Sequence, residues 1–292
     1  MRVLWCLVLL LLGGSVGASQ IEVRFSPGQS HDDKRYTYYW ELLEAALSAT
    51  RASDGDFRMT PVGETMSPAR ATAEVASDGL INVIVRTADA RLDKTLRPLR
   101  IPLDKGLTGY RLFLVNHDDQ PDMDRVDSLA DLRRHELGQG RGWVDVEILR
   151  SAGFNVVEGE GYDSLFMMLV ARRFKLFPRG INEIQGELEA QRERCPSLAI
   201  ERHLILYYPL PRYFYFARTE AGERLARRVE DGLQRLIRSG DFERRYRAYK
   251  KRVLGNLPLS GRRVFRIANP DLPPETPLNH AAYWDDLATE LR

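Results

Sequence analysis

The chain has 292 residues, and its 43 lysines and arginines nearly balance 41 aspartates and glutamates, for a formal net charge of +2. A chain of this length can bury one large core or two smaller lobes. The near balance of charge gives no electrostatic reason to expect a nucleic acid or an anionic membrane as a partner.

The first eighteen residues have the pattern of a secretion signal. Arg2 is followed by the apolar run from Val3 to Leu12, and the small residues 16–18 stand where a signal peptidase cuts. The run is too short for the ~30 Å of bilayer hydrocarbon, which takes about 20 residues to cross. We therefore predict an exported, periplasmic protein whose signal is cleaved near Ala18. Cys195 is then the one cysteine left, which excludes an intramolecular disulfide.

Strand and helix patterns alternate along the rest of the chain. In the first part, we predict strand 21–25, helix 36–49, strand 57–62, helix 67–76, buried strand 80–85, a loop containing Arg91, and extended segments 99–103 and 110–115. In the second part, we predict helices 127–133 and 144–151, strand 154–157, helix 163–171, strand 174–177, helix 182–194, strands 204–208 and 213–216, and helix 220–239. This alternation predicts a mostly parallel α/β architecture.

Two interruptions of the pattern, near 116–121 and 208–212, indicate two lobes. The predicted organisation is a signal at 1–18, a first lobe at 19–116 and 209–256 that ends in a C-terminal helix, a second lobe at 117–208, and a Pro-rich tail at 257–292 that lies extended over the body. Ligands of such folds bind where strands end, so we expect a hinge and a central crevice between the lobes.

Together with the signal, this order resembles the type 2 periplasmic solute-binding proteins, and more narrowly the family 3 group that serves amino-acid ABC transporters. The segments 36–43, 81–91 and 169–177 carry the resemblance, which extends over residues 21–249. It implies a protein that closes on a small molecule between its lobes and delivers it to a membrane transporter or reports it to a membrane sensor.

The resemblance also implies candidate ligand-binding residues. In the family, the loop after the third strand ends in an arginine that binds the ligand's carboxylate, and Arg91 has that position, with Arg86 and Thr87 as nearby alternatives. The planar donors of an arginine match the two oxygens of a carboxylate. The other interpretation of Arg91 is an ordinary loop arginine.

In the second lobe, the family has an aspartate that binds the ligand's ammonium group, and Lys175 stands in its place. A lysine there repels an ammonium group, so the departure favours an anionic ligand, such as a di- or polycarboxylate, over a standard amino acid. Alternatively, Lys175 is only a solvent-facing strand residue, or the crevice holds no such ligand.

Two further segments contain candidates. The family has a glycine and a hydroxyl residue at the start of a second-lobe helix, where Arg141 or Trp143 stands here. Trp143 is either a wall on which a ligand stacks or a core aromatic residue. Arg179, beside Gly180 at the end of a strand, is either a crevice residue or a turn residue.

Other kinds of chemistry have little support in the sequence. The five histidines do not have the spacing of zinc ligands, and no nucleophile elbow is present, so we expect no metal, cofactor or enzymatic activity. The favoured function is a monomeric solute-binding protein. One alternative is a lyase of the same fold that uses an acid such as Glu183 or Glu160. The other is an interaction protein with a vestigial crevice, which binds a partner through the Pro-rich tail.

Overall fold

The computed structural model of the chain describes residues 20–28, 35–63, 66–255 and 257–292. The predicted secretion signal and its cleavage site lie outside the described residues. In the part of the chain that is described, no helix is long and apolar enough to cross a membrane.

Strands and helices alternate over the described residues. The strands are β1 (Ile21–Phe25), β2 (Phe57–Pro61), β3 (Val83–Thr87), β4 (Arg97–Leu99), β5 (Tyr110–Asn116), β6 (Leu137–Gly140), β7 (Val156–Gly159), β8 (Phe177–Gly180), β9 (Leu198–Ile200), β10 (Leu204–Tyr207), β11 (Arg212–Phe216) and β12 (Arg263–Arg266). The helices are α1 (Thr37–Ala49), α2 (Arg51–Asp54), α3 (Pro68–Ala76), α4 (Ala90–Thr95), α5 (Gln120–Met123), α6 (Leu129–Leu132), α7 (Val144–Ser151), α8 (Tyr162–Val170), α9 (Ile184–Ala190), α10 (Glu220–Ser239) and α11 (Asp241–Leu254).

The strands form two groups of sheets. The first group is the parallel pair β1–β2 and the sheet β3–β11–β4, and the second is the sheet β12–β10–β5–β8, in which β9 also pairs with β5, and the parallel pair β6–β7. Antiparallel pairing predominates because β5 and β11 run opposite to all the neighbours described for them. The prediction of a mostly parallel sheet is therefore wrong.

We call the first group of sheets, with α1, α3, α4, α10 and α11, the first half, and the second group, with α7, α8 and α9, the second half. In the first half, α1 and α10 pack at very close range, since a Cβ atom at Gly232 would lie 2.1 Å from the carbonyl oxygen of Ala46. The predicted apolar stripe of α10 is buried; it consists of Leu225, Val229, Leu233 and Leu236.

Three elements differ from the sequence prediction in a way that affects the site. The predicted loop around Arg91 contains the helix α4, because the side chain of Asp89 accepts a hydrogen bond from the Arg91 backbone N–H at 2.8 Å and caps the first turn. The predicted strand 174–177 lies three residues later, as β8. β8 includes Pro178, a residue that lacks only the backbone N–H donor. The Pro178 carbonyl still accepts a hydrogen bond from the Gln139 side chain at 3.4 Å. The helix α11 was not predicted as a separate element.

The C-terminal residues 257–292 lie over both halves. β12 pairs in parallel with β10 of the second half. Farther along, Asn269 donates to the Pro209 carbonyl at 2.9 Å, and the Asp285 backbone N–H donates to the Lys105 carbonyl at 2.9 Å. Leu287 is fully buried. The segment is thus fixed to the body by backbone pairing and by burial of apolar side chains.

Candidate functional site

A strongly charged crevice lies between the two halves. About 500 Å³ between its walls is free of atoms, and part of this space is open to solvent. Five arginines line it: Arg35, Arg86, Arg111, Arg179 and Arg212. Two carboxylates, Asp145 and Glu183, also line it, so positive charge predominates on its walls.

The ends of secondary-structure elements bring these side chains together. β3 ends with Arg86 and Thr87, and β11 begins with Arg212, which pairs with Thr87 across the antiparallel ladder. In the second half, Trp143 and Asp145 lie at the N-terminal end of α7. Several strand and helix ends therefore meet at one crevice, although their residues are far apart in sequence.

Arg179 is held by carboxylates of its own half. Its Nε and Nη2 atoms donate to the two oxygens of Glu187 at 2.7 and 2.6 Å, and Nη2 also donates to Glu183 at 3.3 Å. Its guanidinium carbon lies 4.8 Å from the ring centre of Trp143. Although burial opposes the charged form, Glu187 and Glu183 raise the pKa of Arg179 above its ordinary value. Arg179 is therefore charged, and its Nε and Nη2 atoms already donate to carboxylates.

Arg111, at the start of β5, is engaged in a similar way. Its Nη2 atom donates to Asp145 at 2.6 Å, and its Nε atom donates to the Tyr208 hydroxyl at 3.0 Å. Arg111 is 3% exposed. A buried guanidinium is stable only beside such partners, and Asp145 is in turn neutralised by Arg111.

Glu183 joins the two halves. One of its carboxylate oxygens accepts a hydrogen bond from Arg212 of the first half, and the other lies 3.3 Å from Arg179 and 3.9 Å from Arg111. Burial disfavours the charged carboxylate, but the guanidinium groups around it outweigh burial and lower the pKa of Glu183. Glu183 therefore stays ionised and bound to arginines over the whole physiological pH range.

Arg86 has no carboxylate partner among the described residues. Its Nη1 atom donates to two uncharged acceptors, the Pro68 carbonyl at 2.9 Å and the Thr72 hydroxyl at 3.3 Å. Burial lowers the pKa of Arg86, but an arginine remains charged near neutral pH even so. Arg86 thus contributes to the crevice a positive charge that no described carboxylate binds directly.

The structure places four of the predicted ligand-binding residues at this crevice. Arg86 and Thr87 line it from the first half, and Trp143 and Arg179 line it from the second. Trp143 stacks on Phe177 with 6.5 Å between ring centres, so it is both packed in the core and exposed to the crevice. Their contact with a ligand stays a prediction.

The structure places the other three outside it. Arg91 points away on α4, where its side chain is 72% exposed and lies 3.7 Å from Asp271. Lys175 precedes β8 and pairs with Asp122 and Asp119. Arg141 pairs with Glu160 at the surface. The described structure therefore does not bring Arg91, Lys175 and Arg141 together with the crevice residues, and their contact with a ligand stays a prediction. Arg91 lies on α4 because Asp89 caps a helix where a loop was expected. Lys175 lies before β8 because that strand begins three residues later than predicted.

Sequence reasoning missed four charged residues of the crevice: Arg35, Arg111, Arg212 and Asp145. Arg111 and Arg212 stand at the beginnings of predicted strands, and Asp145 stands in the first turn of a predicted helix. Charged residues at the ends of otherwise apolar elements were the available signal. Which element ends meet in space depends on sheet order, which the sequence does not show.

No family model matches the chain, and no curated protein is similar to it in sequence. Among solved structures, it is similar to an ancestral arginine-binding protein bound to arginine, with 13% sequence identity and a TM-score of 0.55, over 80% of this chain and 99% of that chain. It is also similar to an arginine-specific periplasmic binding protein of Salmonella typhimurium, with 13% identity and a TM-score of 0.56, over 78% of this chain and 98% of that chain.

A third similar structure is a histidine kinase sensor domain that itself resembles periplasmic binding proteins, with 18% identity and a TM-score of 0.53, over 82% of this chain and 97% of that chain. At such identities the likeness establishes the fold alone. The chain has the two-lobe α/β fold of type 2 periplasmic binding proteins, which confirms the predicted fold class. As the resemblance indicated, its structural neighbours include substrate-binding proteins of amino-acid ABC transporters.

Proposed function

We propose that this chain is an exported solute-binding protein whose two lobes close on a small ligand that bears a carboxylate. The observation that carries the proposal is the charge on Arg86, which lines the crevice and has no carboxylate partner among the described residues. An arginine in this state gains a charge-assisted pair when a ligand carboxylate arrives.

The surroundings of Arg86 support the same ligand chemistry. Thr87 adds a hydroxyl on the first half. On the second half, α7 begins at the crevice with no side chain capping it, and the first N–H groups of a helix have no partner within the helix. Such a helix terminus favours an anion. Trp143 supplies an apolar surface beside it.

The fold supports a role in transport or sensing. Its structural neighbours include binding proteins of ABC transporters and a sensor domain of a histidine kinase. The proposed partners of this chain are the ligand and a membrane transporter or sensor, and the proposed working form is a periplasmic monomer. For a lyase, the two acids considered are both engaged by arginines: Glu183 in the crevice and Glu160 at the surface.

The test is a thermal-shift screen with amino acids and small carboxylic acids on the wild type, Arg86→Gln and Arg91→Gln. A ligand at about 100 times its Kd adds about 2.7 kcal/mol of stability. We expect at least one compound to raise the melting temperature of the wild type and of Arg91→Gln, but not that of Arg86→Gln. Arg91→Gln is the matched control because it removes an exposed arginine outside the crevice. No response to any compound would refute the proposed function.

A further inference from the structure

Over the described part of the chain, the crevice presents hydrogen-bond donors to a ligand and no carboxylate that lacks an arginine partner. On the donor side are Arg86, which holds only uncharged acceptors, and Arg212, whose buried Nε atom has no hydrogen-bond partner among the described residues. A buried donor without a partner costs roughly 1–3 kcal/mol, so an acceptor that reaches it gains that free energy. Arg86 and Arg212 lie on neighbouring strands, where Arg86 pairs with Tyr213, the residue after Arg212.

Both carboxylates that line the crevice in the described residues are engaged. Asp145 accepts from Arg111 and from the Tyr208 hydroxyl. Glu183 lies among Arg212, Arg179 and Arg111. An ammonium group of a ligand would have to displace one of these guanidinium groups, and a buried guanidinium that loses its acid is strongly destabilised.

We infer that the crevice selects small carboxylic acids that carry no ammonium group, namely hydroxy, keto or dicarboxylic acids, and discriminates against α-amino acids. This inference rests on the proposed function and names the ligand class of the same site. It separates this chain from the structural neighbours that bind arginine. Arg86 binds the carboxylate, and the Nε atom of Arg212 takes a second acceptor of the ligand.

The experiment compares matched acids that differ in one group. Calorimetric titrations of the dialysed wild type use malate against aspartate and lactate against alanine, because each pair exchanges a hydroxyl for an ammonium group. We expect the hydroxy acid of at least one pair to bind and to have at least tenfold higher affinity than its amino acid. Loss of one charged hydrogen-bonding partner has about this effect. Inorganic phosphate and sulfate form a further arm, since they too present only acceptors.

The outcomes separate the inference from the proposed function. Equal or tighter binding of aspartate or alanine overturns the inference and leaves the solute-binding function in place. Tighter binding of phosphate or sulfate than of every carboxylic acid overturns the carboxylate assignment. If none of these compounds binds and the wider screen is also silent, both proposals fail; if only other amino acids bind, the inference alone fails.

A variant tests the cause of the selectivity. Arg111→Gln removes the guanidinium that neutralises Asp145, and it makes that carboxylate available to an ammonium group. We expect the ratio of malate to aspartate affinity to fall severalfold in this variant and to stay unchanged in Arg91→Gln. Because the readout is a ratio within one protein, a moderate loss of stability does not affect it. An unchanged ratio in folded Arg111→Gln contradicts the assignment, and if that variant does not fold, the wild-type ratios decide.

Discussion

Replacement of Glu183 by glutamine tests the charge network of the crevice directly. Glu183 is 4% exposed, and its carboxylate contacts arginines of both halves, Arg212 from the first and Arg179 from the second. Glutamine keeps the shape and removes the charge. Breaking a buried ion pair from one side costs about 3–5 kcal/mol, because the remaining charge is left uncompensated. For a chain of this size, that corresponds to a fall in melting temperature of about 6 to 20 °C.

The assay is thermal and urea unfolding of the wild type, Glu183→Gln and Glu189→Gln. Glu189 is the matched control, since it lies on α9, the helix that begins directly after Glu183, and its side chain is 64% exposed and pairs with the exposed Arg192. Its replacement should change the free energy of unfolding by less than about 0.5 kcal/mol. If Glu183→Gln changes it by less than about 1 kcal/mol, the described network does not stabilise the fold and the reasoning is wrong.

The pH dependence of this difference follows from the sign of the pKa shift. The folded state lowers the pKa of Glu183, whereas an unfolded glutamate titrates near 4.3. The stabilisation is therefore fully present above about pH 5 and is lost as the pH falls toward the folded value. We expect a constant difference between wild type and Glu183→Gln from pH 5 to 8 and a smaller difference at pH 3. A difference that grows on acidification would contradict the sign.

Two further predictions concern the packing of the body and of the C-terminal segment. Gly232→Ala should lower the free energy of unfolding in urea by about 1–3 kcal/mol, because its Cβ atom would lie 2.1 Å from the Ala46 carbonyl oxygen. The control Gly186→Ala should raise it by about 0.5–1 kcal/mol, because this helical glycine has nothing within 4 Å of the added Cβ atom. If both alanines stabilise, α1 and α10 do not pack as described. Arg262→Gln should lower the free energy of unfolding by about 3 kcal/mol, because it removes the cation that lies 3.6 Å from the fully buried Glu201. The control Arg263→Gln, which changes the exposed neighbouring arginine, should have little effect on the melting temperature. Equal effects of the two would show that residues 257–292 are not anchored through Glu201.

The sequence was sufficient for features that depend on local pattern. Apolar periodicity predicted α1 and α10, and the Ser67–Pro68 pair predicted the start of α3, where Ser67 accepts a bond from the Arg70 backbone N–H at 3.3 Å. The alternation of helices and strands predicted the α/β class but not the antiparallel pairing. Strand direction follows from which strands become neighbours, and neighbours such as β5 and β10 are separated by almost ninety residues of sequence.

The candidate site was predictable only in part, for the same reason. Thr87 was named as a neighbour of the arginine position that the family resemblance implied, whereas Arg179 was named because it stands at a strand end. Lys175 was named for its place in the resemblance, on a strand expected at 174–177, but the strand is Phe177–Gly180, so Lys175 precedes it and lies outside the crevice. Arg179, which the sequence analysis also named, stands within this strand and lines the crevice from the second half.

The pair of Arg212 and Glu183 bears on the proposed closure of the crevice, because each residue belongs to a different half. Opening of the crevice would separate two charges that are buried together in the described structure. Asn182, the residue before Glu183, donates to the Tyr249 hydroxyl of the first half at 2.7 Å, so the same turn makes a second contact across the crevice. Closure therefore has support from the chain itself. A ligand that binds the closed form adds to this attraction, and its own contribution comes from the contacts that the chain leaves open, at Arg86 and at the Nε atom of Arg212.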